Sequence, residues 1–168
     1  MKSNPLRTLR AIGRASSSPS LVDLLDEATL QKGVDSSQRM ILVDGQSDRG
    51  IRGELEVVSP ATLDVDGKKF SLRDVNVELW KGGYIAATMY EFYYYLAKLW
   101  DPAAVQRGDL IAYGTLVFPQ FDLGGNHIFV VSKMCGKRRQ TWQEVMCESS
   151  LFSDQDRFLV VRRKRRRK

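Results

Sequence analysis

The sequence predicts an α+β fold: a compact single domain with antiparallel β-sheet packed on one long helix and a shorter N-terminal helix, and basic tails at both ends. A length of 168 residues is typical of one domain, and a hydrophobic content of 43% is enough to build a core. The elements run helix, strands, long helix, strands, without the alternation of a parallel sheet. We therefore divide the chain into a flexible basic arm over 1–20, a globular domain over 21–161 and a basic C-terminal tail over 162–168.

The first helix is predicted over residues 20–33. Ser20 and Asp23 have the spacing of a capping box, an apolar face follows, and Gly33 is placed to end the helix. Strands are predicted next at 40–43 and 54–58.

Residues 61–72 predict a β-hairpin around the turn Asp66-Gly67, in which Leu63 and Val65 face Phe70 and Leu72. Residues 75–80 either extend this sheet or lead into the next helix.

The main helix is predicted over residues 83–100. Apolar side chains from Ile85 to Leu99 recur at steps of four and three, which is the spacing of a core-facing stripe. Five tyrosines surround the stripe, so we expect some of their hydroxyls to reach the surface or a partner. The last third of the chain returns to strands, at 110–118, 127–133, 140–146 and 158–161.

The net charge of +6 is unevenly distributed along the sequence. Four basic residues and no acid precede Asp23, eight basic residues and no acid lie from Arg157 onward, and 14 basic and 20 acidic residues lie between. Blocks of like charge typically bind polyanions, and both nucleic acid and anionic lipid fit this pattern.

Composition excludes several classes of protein. No apolar run approaches the roughly 18–20 residues of a membrane-spanning helix, and no apolar segment follows the basic N-terminus as it does in a signal peptide. We therefore expect a protein that is neither integral to a membrane nor secreted. Two cysteines and one histidine are too few for a disulfide scaffold or a structural zinc site, so no metal and no cofactor is predicted.

A metal-dependent nuclease is one alternative function. Asp64, Asp66 and Lys68 follow the pattern of two carboxylates that hold Mg²⁺ and a lysine that supports charge on phosphate. All three fall in the predicted hairpin, where Asp and Lys are ordinary turn residues, so we interpret the set as structural.

Other catalytic patterns are incomplete. The segments GDLIAYG and GNHIFVV resemble parts of the cysteine class of cell-wall peptidases, which place the nucleophile before the histidine. Here His127 is the one histidine, and Cys135 and Cys147 both follow it. Gly82-Gly83 offers backbone amides to an anion ahead of the main helix, without the rest of a phosphate-binding motif. We predict that the protein is not an enzyme.

The arm has the pattern of a short amphipathic helix, with apolar side chains at every third position and arginines mostly on the other side. A helix of this length is marginal alone, and a disordered arm is the alternative. The residues predicted to bind a membrane or to mediate self-association are Leu6, Arg7, Leu9, Arg10, Ile12 and Arg14.

The C-terminal run of seven cations is the densest charge cluster in the chain. Such a run binds phosphate backbones by counterion release, resembles a nuclear-import signal and suits anionic membranes. A second basic cluster is predicted at a hairpin tip, where it could form one basic surface together with the C-terminal run. The predicted nucleic-acid and anion-binding residues are Lys137, Arg138, Arg139, Arg162, Arg163, Lys164, Arg165, Arg166, Arg167 and Lys168.

Three segments resemble rhabdovirus matrix proteins, in the order that the family has them. They are FSLRDVNVELW at 70–80, EFYYYLAKL at 91–99 and ESSLFSDQDRFLVV at 148–161. That family has a basic, flexible N-terminal arm followed by a compact α+β domain of similar size. The arm of this chain departs from animal-virus members because it lacks a PPxY or P-T/S-A-P motif, and the shorter chain suits a plant-infecting member.

The resemblance implies a non-enzymatic structural protein that self-associates and bridges a nucleocapsid to an anionic membrane. Its partners would be nucleocapsid RNA, an anionic membrane surface and further copies of the chain, with no small-molecule substrate. The alternative is a nucleic-acid-binding accessory protein that uses its basic tails without a membrane role. The predicted location is the virion, the host cytoplasm and the inner membrane face, with the nucleus added if the basic run acts as an import signal.

Overall fold

The computed structural model describes residues 18–35, 50–60, 69–104, 107–116 and 128–163. Within these ranges lie three α-helices: α1 (Leu21–Lys32), α2 (Leu72–Lys81) and α3 (Met89–Tyr94), the last continued by a π-helical segment over Tyr95–Leu99. The strands in the same ranges are β1 (Glu54–Val58), β2 (Lys69–Ser71), β3 (Tyr84–Ala86), β4 (Asp109–Leu116), β5 (Ile128–Cys135), β6 (Gln140–Cys147), β7 (Leu151–Ser153) and β8 (Arg157–Arg162). The predicted α+β class is confirmed.

The main sheet has the strand order β1-β8-β4-β5-β6 and is antiparallel except between β4 and β8. β1 pairs along one side of β8, while on the other side β4 pairs with its first two residues and β3 with its last three. β2 and β7 form a separate two-stranded ribbon. β8 therefore pairs with three strands, and its end determines where the C-terminal residues leave the sheet.

A close approach at Gly114 lets β3 and β4 share one edge of β8. The Gly114 N–H donates to the carbonyl oxygen of Ala87 at 2.7 Å, and a Cβ on Gly114 would lie 2.3 Å from the carbonyl oxygen of Ala86. The register of β4 against β5 shifts between Ala112 and Thr115 at the same point. Because a bulge bends its strand, the remaining edge of β8 is left to β3.

Helices cover both faces of this sheet. α1, α3 and the π-helical segment pack on one face with Leu110 and Leu159, whereas α2 and the β2–β7 ribbon pack on the other with Ile111 and Phe158. Successive residues of β4 and β8 thus enter opposite halves of the core. This explains why residues 158–161 form a continuous apolar run instead of an alternating one.

The first predicted helix is confirmed together with its caps. The Asp23 N–H donates to Ser20 Oγ at 3.1 Å, the Ser20 N–H donates to Asp23 Oδ2 at 2.9 Å, and Gly33 is left-handed with φ 64°. The hydrogen bonds from Ser20 hold the pKa of Asp23 below its ordinary value. The same capping box recurs at Ser71 and Thr88, where it begins α2 and α3.

The prediction of one long helix over residues 83–100 is wrong. Strand β3 occupies its first turn, and α3 begins at Met89 because the capping box of Thr88 and Glu91 starts a new helix there. Its end is π-helical, since the Trp100 N–H donates to the carbonyl oxygen of Tyr95 at 2.8 Å. Residues 75–80, for which the sequence allowed sheet or helix, lie in α2.

The hairpin predicted over 61–72 lies mostly outside the described residues, as does the strand predicted at 40–43. In the described part, Phe70 pairs with Phe152 in the β2–β7 ribbon, and Leu72 begins α2. The assignment of Leu72 to a strand is therefore wrong. The strands predicted at 54–58, 110–118, 127–133, 140–146 and 158–161 correspond to β1, β4, β5, β6 and β8.

Candidate anion-binding site at the root of the C-terminal tail

The backbone at the end of β8 is held on both sides. Arg162, its last residue, is in register with Glu54 of β1 and with Tyr84 of β3. The Arg163 N–H then donates to the carbonyl oxygen of Gly83 at 2.9 Å. We call Glu56, Trp80, Tyr84, Arg162 and Arg163 the tail root, because the residues from Lys164 to Lys168, which lie outside the described part of the chain, follow it directly.

Arg162 is paired within the domain. Its Nη2 donates to Glu56 Oε2 at 2.9 Å and to Tyr84 Oη at 3.1 Å, and its Nε also donates to Glu56 Oε1. The hydrogen bond from Arg162 holds the pKa of Glu56 below its ordinary value, and the same bond raises the pKa of Arg162. A phosphate would have to compete with Glu56 for this side chain.

Arg163 lies instead on an exposed aromatic ring. Its guanidinium carbon is 3.7 Å from the centroid of the Trp80 ring, which is a stacked cation–π contact. Trp80 is in the last turn of α2 and remains 63% exposed with the guanidinium against it. This contact fixes the arginine without neutralising its charge.

The charges around the tail root nearly cancel. Glu54, Glu56 and Glu78 stand beside Lys81, Arg162 and Arg163, with Lys81 Nζ 2.6 Å from Glu78 Oε1. The five consecutive cations after Arg163 carry the local excess of positive charge. The root therefore supplies a defined geometry, and the sequence that follows supplies the charge.

The second predicted cluster, Lys137 to Arg139, lies at the opposite end of the sheet. It occupies the β5–β6 turn, where Cys135 pairs with Asp109 of β4, and the next residue of β4 pairs with Arg157 at the start of β8. The tail root is at the other end of β8, about 17 Å away along the strand at ~3.3 Å per residue. The two clusters therefore do not form one continuous patch.

The β5–β6 turn is docked through its backbone. The carbonyl oxygen of Arg139 accepts from the Asp35 N–H at 2.8 Å, and Arg139 adopts φ 53°. Lys137 and Arg138 are exposed at the tip. Arg139 is exposed as well, so the turn presents three cations, which is a weaker electrostatic feature than five consecutive cations.

The residues considered for catalysis do not form a catalytic site in the described part of the chain. His127 and the set Asp64, Asp66 and Lys68 lie outside it. The amides of Gly82 and Gly83 donate to the carbonyl oxygens of Glu78 and Trp80, so these glycines close the C-terminal turn of α2 and do not face an anion ahead of a helix.

The two cysteines are far apart on the β5–β6 hairpin. Cys135 pairs with Gln140 near the turn, and Cys147 pairs with Ile128 at the open end. Hydrogen bonds with the hydroxyls of Ser149 and Ser150 hold the pKa of Cys147 below its ordinary value. Among the described residues, no group of three His, Cys, Asp or Glu side chains is placed to hold a metal ion.

The predicted arm residues, Leu6 to Arg14, also lie outside the described part. Close to the first described residue, Ser18, the carbonyl oxygen of Pro19 accepts from the Tyr90 hydroxyl at 2.8 Å. The chain is thus tied to α3 immediately before α1 begins.

Sequence reasoning missed Glu56 and Trp80 as members of the site. Glu56 is 106 residues from Arg162, and no local pattern joins the two. For Trp80 a signal exists, because a tryptophan beside a lysine in the last turn of an amphipathic helix falls outside the apolar stripe of Leu72, Val75 and Leu79.

Comparison of the chain with protein-family models, with curated proteins and with solved structures finds no match. The resemblance to rhabdovirus matrix proteins stays a prediction. None of the helices in the described ranges is long and apolar enough to cross a membrane.

Proposed function

We propose that this chain is a non-enzymatic adaptor of the viral matrix type, which binds the phosphate backbone of RNA through its C-terminal tail. In this proposal the N-terminal arm contacts an anionic membrane and other copies of the chain. The protein would then act in the virion and at the inner face of the host membrane, where it joins a nucleocapsid to lipid.

The tail root is the observation that carries this proposal. Arg163 is fixed by its backbone bond to Gly83 and by its stack on Trp80, so the five following cations leave the domain from a defined point. A dense run of cations releases condensed counterions from a phosphate backbone, and this gain does not depend on base sequence. The paired Arg162 positions the strand end, while the following residues bind.

The test removes charge without shortening the chain. In one variant the five residues Lys164 to Lys168 become glutamine, and in a matched control Lys137 and Arg138 become glutamine at the far end of the sheet. Binding to a single-stranded RNA is measured over a salt series. Each phosphate neutralised on a single strand contributes about −0.7 to the slope of log K against log salt, so the tail variant should flatten the slope by up to about 3.5.

The control should retain most of the slope, because its two side chains lie at the other end of β8. An unchanged affinity and slope in the tail variant would refute the proposal.

A nucleic-acid-binding accessory protein without a membrane role is the second candidate. The exposed Trp80 beside the cations favours it, since aromatic rings among basic residues are typical of nucleic-acid sites. Vesicles containing phosphatidylserine separate the two: binding that depends on residues 1–17 supports the adaptor, and binding to RNA alone supports the accessory protein.

A further inference from the structure

We propose that Trp80 is a stacking platform for one base of a single-stranded nucleic acid, so that the tail root distinguishes single strands from polyanions in general. This inference rests on the proposed function, because the tail must bring the strand to the ring. It goes beyond that function by assigning a second kind of contact, to the base, at a named side chain.

Trp80 is the one exposed tryptophan of the three in the chain. Trp100 is 4% exposed in the core, and the indole N–H of the half-buried Trp142 donates to Glu144 Oε1 at 2.6 Å. Trp80 is 63% exposed. Its ring therefore offers the free aromatic surface on which a base can stack.

Arg163 orders the Trp80 ring before a base binds. A guanidinium 3.7 Å from the centroid lies against the indole, and the bond from the Arg163 N–H to Gly83 holds the arginine in place. An ordered ring loses less entropy when a base stacks on it.

The surroundings of Trp80 favour a nucleobase over a protein partner. The side chains beside it are charged, with Glu78, Lys81 and Arg163 in the same turn or against the ring, and Val77 is an exposed apolar residue three positions earlier. The centre of a protein interface is depleted in charged residues, whereas a single ring flanked by cations is the arrangement of single-strand binding sites.

The experiment compares three ligands at one salt concentration: an oligouridylate, a duplex RNA of equal charge, and inorganic polyphosphate. The proteins are the full chain, Trp80→Ala, Trp80→Phe and the control Leu30→Ala, which removes an exposed side chain from a helix on the other face of the sheet. Thermal unfolding of each variant establishes that it is folded.

We expect Trp80→Ala to weaken oligouridylate binding by about 5- to 140-fold, the range for loss of one stacked base, and to leave polyphosphate and duplex binding unchanged. Trp80→Phe should retain most of the affinity. The salt slope of Trp80→Ala should equal that of the full chain, since stacking releases no counterions.

An equal loss of affinity for all three ligands, or no loss of affinity for the oligouridylate, would overturn the inference about Trp80. The proposed function would still stand if the salt slope were steep and depended on the tail. A flat slope in the full chain would overturn the proposed function itself. Weakened binding to phosphatidylserine vesicles, with oligouridylate binding intact, would assign Trp80 to a membrane surface and also reject the inference.

Discussion

The guanidinium of Arg52 holds the fully buried carboxylate of Glu91 from a position that is 42% exposed. Arg52 Nη2 donates to Glu91 Oε2 at 2.7 Å and Nε donates to Oε1 at 3.0 Å, while the backbone N–H groups of Arg52 and Thr88 complete the set. Arg52 Nη2 also donates to the carbonyl oxygen of Ala86. One ion pair thus joins the chain before β1, the end of β3 and the first turn of α3.

Removal of Arg52 and removal of the charge of Glu91 should lower the free energy of unfolding by different amounts. Arg52→Ala leaves a buried carboxylate without its counter-charge, and the expected loss is about 3–5 kcal/mol in the free energy of unfolding. Glu91→Gln leaves an arginine that can reach water, so the expected loss is smaller, about 1–3 kcal/mol. Urea unfolding at neutral pH measures both.

The control for this comparison is Arg73→Ala, whose side chain is 68% exposed and pairs with Glu148. Exposed pairs contribute little, so its loss should stay below about 1 kcal/mol. A larger loss of unfolding free energy for Glu91→Gln than for Arg52→Ala would contradict the prediction that an unpaired buried carboxylate is the more destabilising change.

The Glu91 pair should make stability depend on pH. Burial alone would raise the pKa of Glu91, but the hydrogen bonds from Arg52 and Thr88 outweigh it and hold the pKa below the ordinary value of 4.5. A carboxyl with a depressed pKa in the folded state stabilises the fold above its unfolded pKa, and that contribution is lost as the pH falls through the folded pKa.

The measurement is the difference in free energy of unfolding between the full chain and Glu91→Gln from pH 7 to pH 3. The difference should be constant at neutral pH and should narrow as the pH falls below about 4.5, because protonation removes the charge that the variant lacks. A difference that widens towards low pH would mean that the pKa of Glu91 is raised.

Neutralising Glu56 should strengthen binding of polyanions. In Glu56→Gln the guanidinium of Arg162 loses its charged partner and becomes available to a phosphate. One more phosphate contact on single-stranded RNA should steepen the salt slope by about 0.7. Glu148→Gln is the matched control, since it releases Arg73 at the opposite end of α2. Equal effects of the two variants would show that only net charge matters.

Removal of residues 1–17 should leave the domain folded. The carbonyl oxygen of Pro19 and the capping side chain of Ser20 are the first contacts of the described chain, and this variant retains both. We expect an unchanged unfolding midpoint and weaker self-association or binding to phosphatidylserine vesicles. Loss of the cooperative unfolding transition would show that the arm belongs to the core. Tyr90→Phe, which removes the hydrogen bond to the carbonyl oxygen of Pro19, measures how much the contact between the arm and α3 contributes to stability.

Local signals in the sequence predicted much of the fold. The capping box and terminal glycine defined α1, because each acts within one turn of the backbone. Apolar runs located β4, β5 and β8, an alternating pattern located β1, and a turn after β5 located β6, since each of these signals acts over a few residues. The concentration of cations after Val161 is likewise a property of sequence alone, and it named Arg162 and Arg163 as candidates.

Tertiary structure decided the rest, because strand pairing and ion pairs join residues that are distant in sequence. Tyr84–Ala86 carries the apolar spacing of a helix but forms β3, since the free edge of β8 offers its backbone hydrogen bonds. Phe70 pairs with Phe152 of β7, a partner 82 residues away that no local pattern indicates. The contrast between Arg162, which is paired with Glu56, and Arg163, which is stacked on Trp80, exists only once β1, α2 and β8 meet at one end of the sheet.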